Sequence, residues 1–457
     1  MPANKLKLYN TLSRKVETFT PFNAGEVKIY TCGPTVYSQP HIGNFAAYIY
    51  WDLLIRTLRA QGYSVKRVLN LTDVGHLTSD ADDGEDKLEK GARLTGKTVW
   101  EVAEFYIDKF LADYSALDLT PPDLLARATD YIPEDIELVD ILTAKGYTYE
   151  TRDGIYYNTA KFPHYADFAR LDLDNLKAGA RVEFSDEKLN PSDFAVWKFI
   201  QPGEKHEMRW DYLGRPGYPG WHLECSTIIH TELGETIDIH TGGIDHIPTH
   251  HTNEIAQSEA AFEKKLAKYW IHCNHLTSEG QKISKSLGNG YSLADLAEKG
   301  YSPLDFKMWV LQGHYQSERD FSLENLEAAR IRRLNWRNRI AKCYQTSAGS
   351  STTTSDAIAD IIDALDDNLN SPKAFAIIDA VTNDDLDFWQ QIDHLFGLGL
   401  LSDSPELGSA AKKLLEERQA ARAAKDFATS DRLRDELLAQ NISVLDSKDG
   451  QIWQYAR

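Results

Sequence analysis

The segment 27–71 holds a strand, a helix and a second strand in close succession, and this order restricts the fold more than any other feature. Residues 27–32 form an apolar run that predicts a strand, and residues 65–71 form another. Between them, residues 42–62 have the apolar spacing of an amphipathic helix that ends at a glycine. Two strands joined by a helix form a βαβ unit, so the sequence predicts an α/β fold built on a parallel sheet.

A cysteine and a histidine flank the turn between the first strand and the helix. In the stretch TCGPTVYSQPHIGN, Cys32 ends the strand and His41 precedes the helix. Parallel sheets bind ligands at the carboxyl ends of their strands, and helix N-termini attract phosphate groups. Gly43 would let a flat ligand approach the helix backbone. We therefore expect a binding site on this turn.

Two distant segments carry side chains that bind metal ions. The stretch GYPGWHLECSTIIH contains Cys225, and TGGIDHIPTHHTNEIAQS contains His250 and Glu254. His250 and Glu254 are four residues apart, so on a helix they share one face. With Cys32 they supply two thiols, an imidazole and a carboxylate, which is a plausible set of zinc ligands.

The stretch KISKS places Lys282 and Lys285 on a loop with glycines on both sides. Nucleotidyl transfer requires cations where charge develops on the α-phosphate and on the leaving pyrophosphate. The two lysines could form a movable positive clamp of this kind. For a lysine pair taken alone, a solvated loop is the simpler interpretation.

Taken together, HIGN and KISKS resemble the HIGH and KMSKS signatures of class I aminoacyl-tRNA synthetases, with Asn44 and Ile283 as the two departures. The stretches CGPTVY, WHLECS and HHTNE resemble three boxes of cysteinyl-tRNA synthetases, although Thr252 stands where that family commonly has glutamate. The resemblance continues through DALDDNLNSPKAFAII, similar to the family's helical bundle. It ends with residues 421–457, similar to its anticodon-recognition module.

The resemblance implies a Rossmann-like parallel-sheet catalytic domain with an inserted domain, followed by an α-helical bundle and a small C-terminal domain. It implies the following division of the chain: 1–119, first half of the catalytic domain; 120–205, insertion; 206–316, second half with the KISKS loop; 317–400, a helical bundle that binds tRNA; and 401–457, anticodon recognition. The segment 75–95 carries the resemblance least well.

The resemblance also implies roles for single residues. One Zn²⁺ per chain is expected on Cys32, Cys225, His250 and Glu254. Catalytic roles fall on His41, Lys282 and Lys285. ATP, with Mg²⁺, is expected to contact Pro34, His41, Gly43, Asn44, Gly242, Gly243, Asp245 and Lys285. L-Cysteine is expected to contact Cys32, Thr72 and Trp221. The implied activity is ligation of cysteine to tRNA(Cys).

Zinc explains how such an enzyme would select cysteine. A soft thiolate is a far better zinc ligand than a neutral hydroxyl, so zinc can favour cysteine over serine. An apolar pocket alone would discriminate such small differences only about 10–200-fold. Direct coordination can exceed that ratio, and we expect no editing domain.

Charge and composition limit which partners and which cell compartment the sequence predicts. The net charge is −19, which argues against nucleic-acid binding by the average surface. Residues 317–345, however, are strongly basic, so this helix could bind phosphates, although outward-facing arginines of an amphipathic helix would look the same. Four cysteines are too few for a disulfide framework and fit the cytoplasm. No apolar stretch is long enough for a membrane span, and no obligate protein partner is evident.

Several alternatives stay open at the level of sequence. The paired histidines and the glutamate could simply cap a helix, and His251 and Cys273 are substitute ligands if the assignment is wrong. Trp453 could stack on an anticodon base or anchor the C-terminal domain. A related ligase that joins activated cysteine to a sugar amine would share the zinc and ATP boxes, and a nucleotide-binding protein without catalysis would share some of them.

Overall fold

The structure is a computed structural model that describes residues 5–75, 87–172, 187–204, 206–278, 280–283, 290–345, 352–447 and 450–456. The strands of the described chain are β1 (Lys7–Asn10), β2 (Lys15–Thr18), β3 (Glu26–Thr31), β4 (Ser64–Leu71), β5 (Leu124–Arg127), β6 (Thr148–Glu150), β7 (Gly154–Tyr157), β8 (Phe194–Phe199), β9 (Trp210–Tyr212), β10 (Arg215–Pro219), β11 (Ile237–Gly243), β12 (Ala267–Cys273), β13 (Leu276–Ser278), β14 (Gln281–Lys282), β15 (Arg319–Phe321), β16 (Ile442–Ser447) and β17 (Gly450–Tyr455).

The helices of the described chain are α1 (Ile42–Ala60), α2 (Lys87–Thr95), α3 (Val99–Ala116), α4 (Ile132–Ala144), α5 (Trp221–Leu233), α6 (His250–Phe262), α7 (Leu293–Glu298), α8 (Pro303–Leu311), α9 (Leu323–Cys343), α10 (Thr352–Asp366), α11 (Ser371–Ala380), α12 (Leu386–Phe396), α13 (Ser409–Ala423) and α14 (Phe427–Leu438). The predicted βαβ unit is confirmed as β3, α1 and β4, with all the strand pairs of this sheet parallel.

The central sheet has the strand order β12-β11-β3-β4-β5. The chain runs outward from β3 to β4 and β5, and it returns on the other side of β3 with β11 and β12. The order therefore reverses between β3 and β11, where parallel sheets of this kind open a crevice for ligands. Cys32 directly follows β3 at this point, and Gly242 and Gly243 end β11.

A second sheet, antiparallel in all its pairs, is inserted between β5 and β11 and has the order β6-β7-β8-β10-β9. The resemblance predicts the insertion at residues 120–205. The strands of the inserted sheet span residues 148–219, whereas β5, which begins after residue 120, pairs with β4 in the central sheet. The inserted sheet is aromatic on its buried side, where the rings of Tyr157 and Phe194 stack at 5.1 Å.

Helix α10 packs on α11 and α12, which lie beside α9, and α13, α14 and the hairpin β16–β17 follow them along the chain. Trp336 of α9 lies 5.0 Å from the ring of Phe375 and 5.8 Å from that of Trp389. Trp453 of β17 is 7% exposed, and its ring is parallel to that of Tyr344. The structure thus uses Trp453 as an anchor for the C-terminal hairpin.

Asn368 joins the helical region to the N-terminal strand. Its backbone is left-handed, with φ of 59°, a conformation that asparagine tolerates better than most residues. Its Oδ1 accepts hydrogen bonds from the backbone of Tyr9 at 2.8 Å and from the hydroxyl of Tyr315 at 2.6 Å, and its Nδ2 donates to Gln316 at 2.7 Å.

We expect Asn368→Ala to lower the free energy of unfolding by about 3 kcal/mol, because it leaves a backbone donor and the buried Tyr315 hydroxyl without an acceptor. Asn368→Gly keeps the left-handed turn without strain and removes the same hydrogen bonds. Denaturant unfolding should show a large loss for both variants, with alanine worse by about 1 kcal/mol. A wild-type midpoint in the glycine variant would show that the side chain does not join the two regions.

Candidate active site and metal centre

One cavity of about 610 Å³ lies where the order of the central sheet reverses. Twelve residues predicted for the site line it: Cys32, Pro34, His41, Gly43, Asn44, Thr72, Trp221, Cys225, Gly242, Gly243, Asp245 and His250. Segments nearly two hundred residues apart in sequence thus share one cavity. Lys282 ends the short strand β14, and Lys285 lies outside the described residues.

The turn that carries Cys32 is fixed against the end of β4. The side-chain oxygen of Asn70 accepts a hydrogen bond from the backbone of Gly33 at 2.7 Å, and the Thr72 backbone donates to the Pro34 carbonyl at 3.1 Å. A Cβ at Gly33 would run into the Asn70 carbonyl, so only glycine fits this approach. The Cys32 backbone also donates to the carbonyl of Thr241 in β11. Cys32 is therefore held between two strands.

The four predicted ligands meet at this cavity: Cys32, Cys225 and His250 line it, and Glu254 lies behind them. The ligand atoms of Cys32, Cys225, His250 and Glu254 all lie within 4.8 Å of one another, and all four residues are buried. Cys225 lies on α5, whereas His250 and Glu254 lie one turn apart on α6, with His250 Nε2 2.9 Å from Glu254 Oε1. A buried cluster of thiol, imidazole and carboxylate groups could hold a metal ion, because these are the ligands that zinc and similar ions prefer.

The pKa shifts of the clustered side chains agree with the binding of a cation. Burial raises the pKa of Cys32 well above its ordinary value, whereas a hydrogen bond from Cys32 lowers the pKa of Cys225 to about 7. Burial opposes the charge on His250, yet the Glu254 carboxylate and Cys225 raise the pKa of His250 well above its ordinary value. Cys32 and His250 therefore favour keeping their protons. A metal ion would replace them, because metal ligation requires thiolates and neutral imidazole.

Two histidines that the sequence analysis did not assign orient the ligands. The Nδ1 atoms of His222 and His250 lie 2.8 Å apart, and His240 Nε2 lies 2.6 Å from Glu254 Oε2. Burial raises the pKa of Glu254, but the charges of His240 and His250 outweigh it and hold this pKa well below its ordinary value. Such outer partners fix the orientation of metal ligands.

The two substitute ligands have different positions. His251 Nε2 lies 3.4 Å from the sulfur of Cys32, so His251 adjoins the cluster. Cys273 lines the cavity, but it belongs to neither group of potential ligands among the described residues. His251 is therefore the substitute that geometry allows.

The expected cysteine contacts lie beside the cluster. The ring of Trp221 is 5.3 Å from that of His250. The Thr72 hydroxyl accepts a hydrogen bond from the Asn70 amide at 3.1 Å and donates to Glu224 at 3.2 Å. Both residues can thus contact an amino acid whose side chain reaches the cluster.

The end of the cavity that is predicted to bind the nucleotide lies at the start of α1. His41 caps the helix, and its backbone donates to the Asn44 side chain at 3.1 Å, so Asn44 serves the helix cap in addition to lining the cavity. The backbone of Ile42 donates to the carbonyl of Tyr291, and Ile283 also lines the cavity. Ile283 of the KISKS stretch and Tyr291, which follows that stretch, therefore both lie close to this helix end.

Two glycines that line the cavity lie close to imidazole rings. A Cβ at Gly43 would lie 3.0 Å from the His41 ring, and one at Gly242 would lie 2.6 Å from atoms of His246 and His251. The glycine at 242 thus accommodates the protein's own imidazoles. Asp245 is exposed at the mouth of the cavity.

We expect Gly43→Ala to raise the KM for ATP about tenfold to a hundredfold, because the methyl group pushes the His41 ring out of position. The KM for the amino acid should change little, because Gly43 lies at the other end of the cavity. Initial rates of pyrophosphate exchange measure both values. Equal increases in the two KM values would contradict the assignment of this end to the nucleotide.

The arginines of the basic segment, residues 317–345, form ion pairs and hydrogen bonds with other residues of the protein. The pairs are Arg332 with Asp379, Arg333 with Asp305 and Asp403, Arg339 with Asp384, and Arg330 with Glu327. Arg319 donates to the Val310 carbonyl, and Arg337 donates to Ser404. Apart from Arg330–Glu327, which lies within α9, and Arg319, which lies on β15, these contacts tie α9 to the helices and loops around it, as the amphipathic interpretation predicts. Phosphate binding by this helix stays a prediction.

Comparison with known proteins agrees with this geometry. The family model "tRNA synthetases class I (C) catalytic domain" matches residues 18–331, and "Cysteinyl-tRNA ligase anticodon binding domain" matches residues 404–453. A methionyl-tRNA synthetase from Mycobacterium tuberculosis, solved with methionyl-adenylate, has a TM-score of 0.57 at 16% identity and covers 86% of this chain and 84% of its own. The fold and the matched family model are thus those of a class I aminoacyl-tRNA synthetase.

The relatives narrow this class. A cysteine–tRNA ligase from Treponema denticola is 40% identical over 98% of this chain and 99% of its own length. Cysteine–tRNA ligase 1 of Burkholderia lata is 42% identical over 98% of this chain and 96% of its own length. The cysteine–tRNA ligase from Thermus thermophilus is 39% identical over 99% of this chain and 100% of its own length. The chain belongs to the cysteine–tRNA ligase family. Among the described helices, none has the length and apolarity needed to cross a membrane.

Proposed function

We propose that this protein activates L-cysteine with ATP and transfers it to the terminal ribose of tRNA(Cys), with one Zn²⁺ selecting the substrate thiolate. The observation that carries the proposal is the single cavity that joins a buried Cys, Cys, His and Glu cluster to a helix N-terminus lined by His41. The matched anticodon-binding region at 404–453 supports tRNA as the acceptor. The site of action is proposed to be the cytoplasm, where the four free thiols stay reduced.

In the first step, a carboxylate oxygen of cysteine forms a bond to the α-phosphorus of ATP while the bond to the leaving pyrophosphate breaks. Zinc, when bound, holds the substrate sulfur as a thiolate and so rejects serine. Trp221 and Thr72 orient the amino acid beside the cluster. His41 and the amide groups at the start of α1 stabilise the charge on the phosphates, together with Lys282, Lys285 and Mg²⁺.

In the second step, a ribose hydroxyl of the terminal tRNA nucleotide attacks the carbonyl carbon of the adenylate. The bond between this carbon and the phosphate oxygen breaks, AMP leaves, and the hydroxyl proton passes to solvent or to the phosphate. Asp245 is proposed to accept hydrogen bonds from the ribose of ATP. No side chain is required as a general base, because positioning and electrostatic stabilisation lower the barrier.

The test is exchange of labelled pyrophosphate into ATP, which needs the first step only. We expect exchange with cysteine and no tRNA, and cysteinyl-tRNA on addition of tRNA(Cys). Exchange without transfer to tRNA, but with transfer to an amino sugar, would favour the related thiol-biosynthesis ligase. Absence of exchange in zinc-replete protein would contradict the proposal and favour a nucleotide-binding protein without catalysis.

A further inference from the structure

The floor of the cavity contains a second group of potential metal ligands next to the first. This group consists of Cys32, His240, His251 and Glu254, whose ligand atoms also lie within 4.8 Å of one another. All four are buried, and His240, His251 and Glu254 have no measurable exposure. One thiol, two imidazoles and one carboxylate suit the same borderline-soft ions as the first group.

The two groups share Cys32 and Glu254, and the carboxylate faces both. Glu254 Oε1 lies 2.9 Å from His250 in the first group, and Oε2 lies 2.6 Å from His240 in the second. The Cys32 sulfur lies 3.4 Å from His251 Nε2. Two ligands of one tetrahedral zinc ion lie about 3.3–3.8 Å apart, so small movements would place an ion in either group.

His251 has the support expected of a metal ligand. Its Nδ1 lies 2.8 Å from His272 Nε2, and His272 Nδ1 lies 2.8 Å from the Thr11 hydroxyl. These contacts fix the ring and direct Nε2 toward Cys32. Metal-binding histidines typically use their second nitrogen in this way.

Access distinguishes the two groups. Cys32, Cys225 and His250 line the cavity, whereas His240, His251 and Glu254 do not. An ion on the first group is open to a substrate, and an ion on the second is enclosed, as in structural zinc sites. Because Cys32 and Glu254 belong to both groups, the two positions compete for the same ligands.

We propose that the centre has two adjoining positions for one metal ion: an open position that meets the substrate, and a closed position built with His240 and His251 that retains the ion when the open one is incomplete. The metal is Zn²⁺ or an ion of similar preference. This inference rests on the metal centre of the proposed function and not on its reaction.

The test measures zinc per chain, by atomic emission after gel filtration, in variants of the full chain. Cys225→Ser and His250→Gln each remove a ligand of the open position only, and we expect both to retain about one zinc per chain. The double variant Cys225→Ser/His251→Gln should fall below about one fifth of that content. His251→Gln alone should retain zinc through the open position.

Cobalt gives a second readout. In Cys225→Ser, Co²⁺ should show charge transfer from one thiolate, and its spectrum should not change on addition of cysteine, because the closed position excludes the substrate. In the wild type, addition of cysteine should change the Co²⁺ spectrum. If Cys225→Ser and His250→Gln both lose their zinc while their circular dichroism stays that of the wild type, the closed position is overturned. A double variant that keeps its zinc would also overturn it. Cysteine-dependent exchange by the wild type would leave the proposed function standing in either case.

Discussion

Replacement of Cys32 by serine is expected to abolish metal binding and to lower kcat/KM for cysteine by more than about a hundredfold. Cys32 belongs to both groups of potential ligands that the described residues form, so neither group is complete without it. A hydroxyl does not ionise as a thiol does, and the loss should exceed the factor of about 10–100 that is typical of outer partners. Zinc content and pyrophosphate exchange, measured on the same preparation, check both effects.

Cys343→Ser is the matched control, because this thiol lies on α9, outside the cavity, and donates only to backbone carbonyls. We expect this variant to keep wild-type zinc content and wild-type exchange. A Cys32→Ser protein that retains zinc and full exchange would contradict the assignment of the cluster.

Asp52→Asn is expected to lower the free energy of unfolding by about 3–5 kcal/mol. Asp52 lies on α1 and Lys307 on α8, both buried, with Lys307 Nζ 2.9 Å from Asp52 Oδ2. Arg56 also donates to Asp52, at 2.8 Å, and to the carbonyl of His394. The substitution leaves a buried ammonium group without its counter-ion at the junction of the catalytic and helical regions.

The exposed pair Lys5–Asp363 provides the matched control. Its side chains are 68% and 54% exposed, and Asp363→Asn should cost less than about 1 kcal/mol. Chemical denaturation measures both variants. Equal losses would show that the buried pair has no special role.

The effect of Asp52 depends on pH in a defined direction. Burial raises the pKa of Asp52, but Lys307 and Arg56 outweigh it and hold this pKa well below its ordinary value. A depressed pKa contributes stability above the pKa of the unfolded chain, about 4, and this stability is lost as the pH falls further. The difference between wild type and Asp52→Asn should therefore be constant near neutral pH and shrink below about pH 4. A difference that grows on acidification would contradict this account.

The sequence permitted prediction of the central fold because the decisive elements are local. The apolar periods of β3, α1 and β4 are complete within 45 residues, and the turn between them carries Cys32 and His41. The meeting of Cys32 with Cys225 could be anticipated only through the resemblance. No pattern in a single sequence relates two thiols that lie almost two hundred residues apart.

Other features could not be read from the sequence, for physical reasons. His240 and His222 lie within apolar segments, where a histidine looks like packing, and their role depends on contacts across the fold. The ion pairs of the α9 arginines could not be anticipated, because their partners, such as Asp379 and Asp403, come from distant loops and helices. The strands at 210–219 belong to the inserted sheet through pairing that local composition does not reveal.

X-ray absorption at the zinc edge tests most directly whether the metal ion coordinates the substrate sulfur. In the resting protein, the ion should have two sulfur neighbours, from Cys32 and Cys225. Cysteine should add a third sulfur neighbour at the same distance, and serine should leave the spectrum unchanged. A zinc ion that keeps two sulfur neighbours with saturating cysteine would contradict the account.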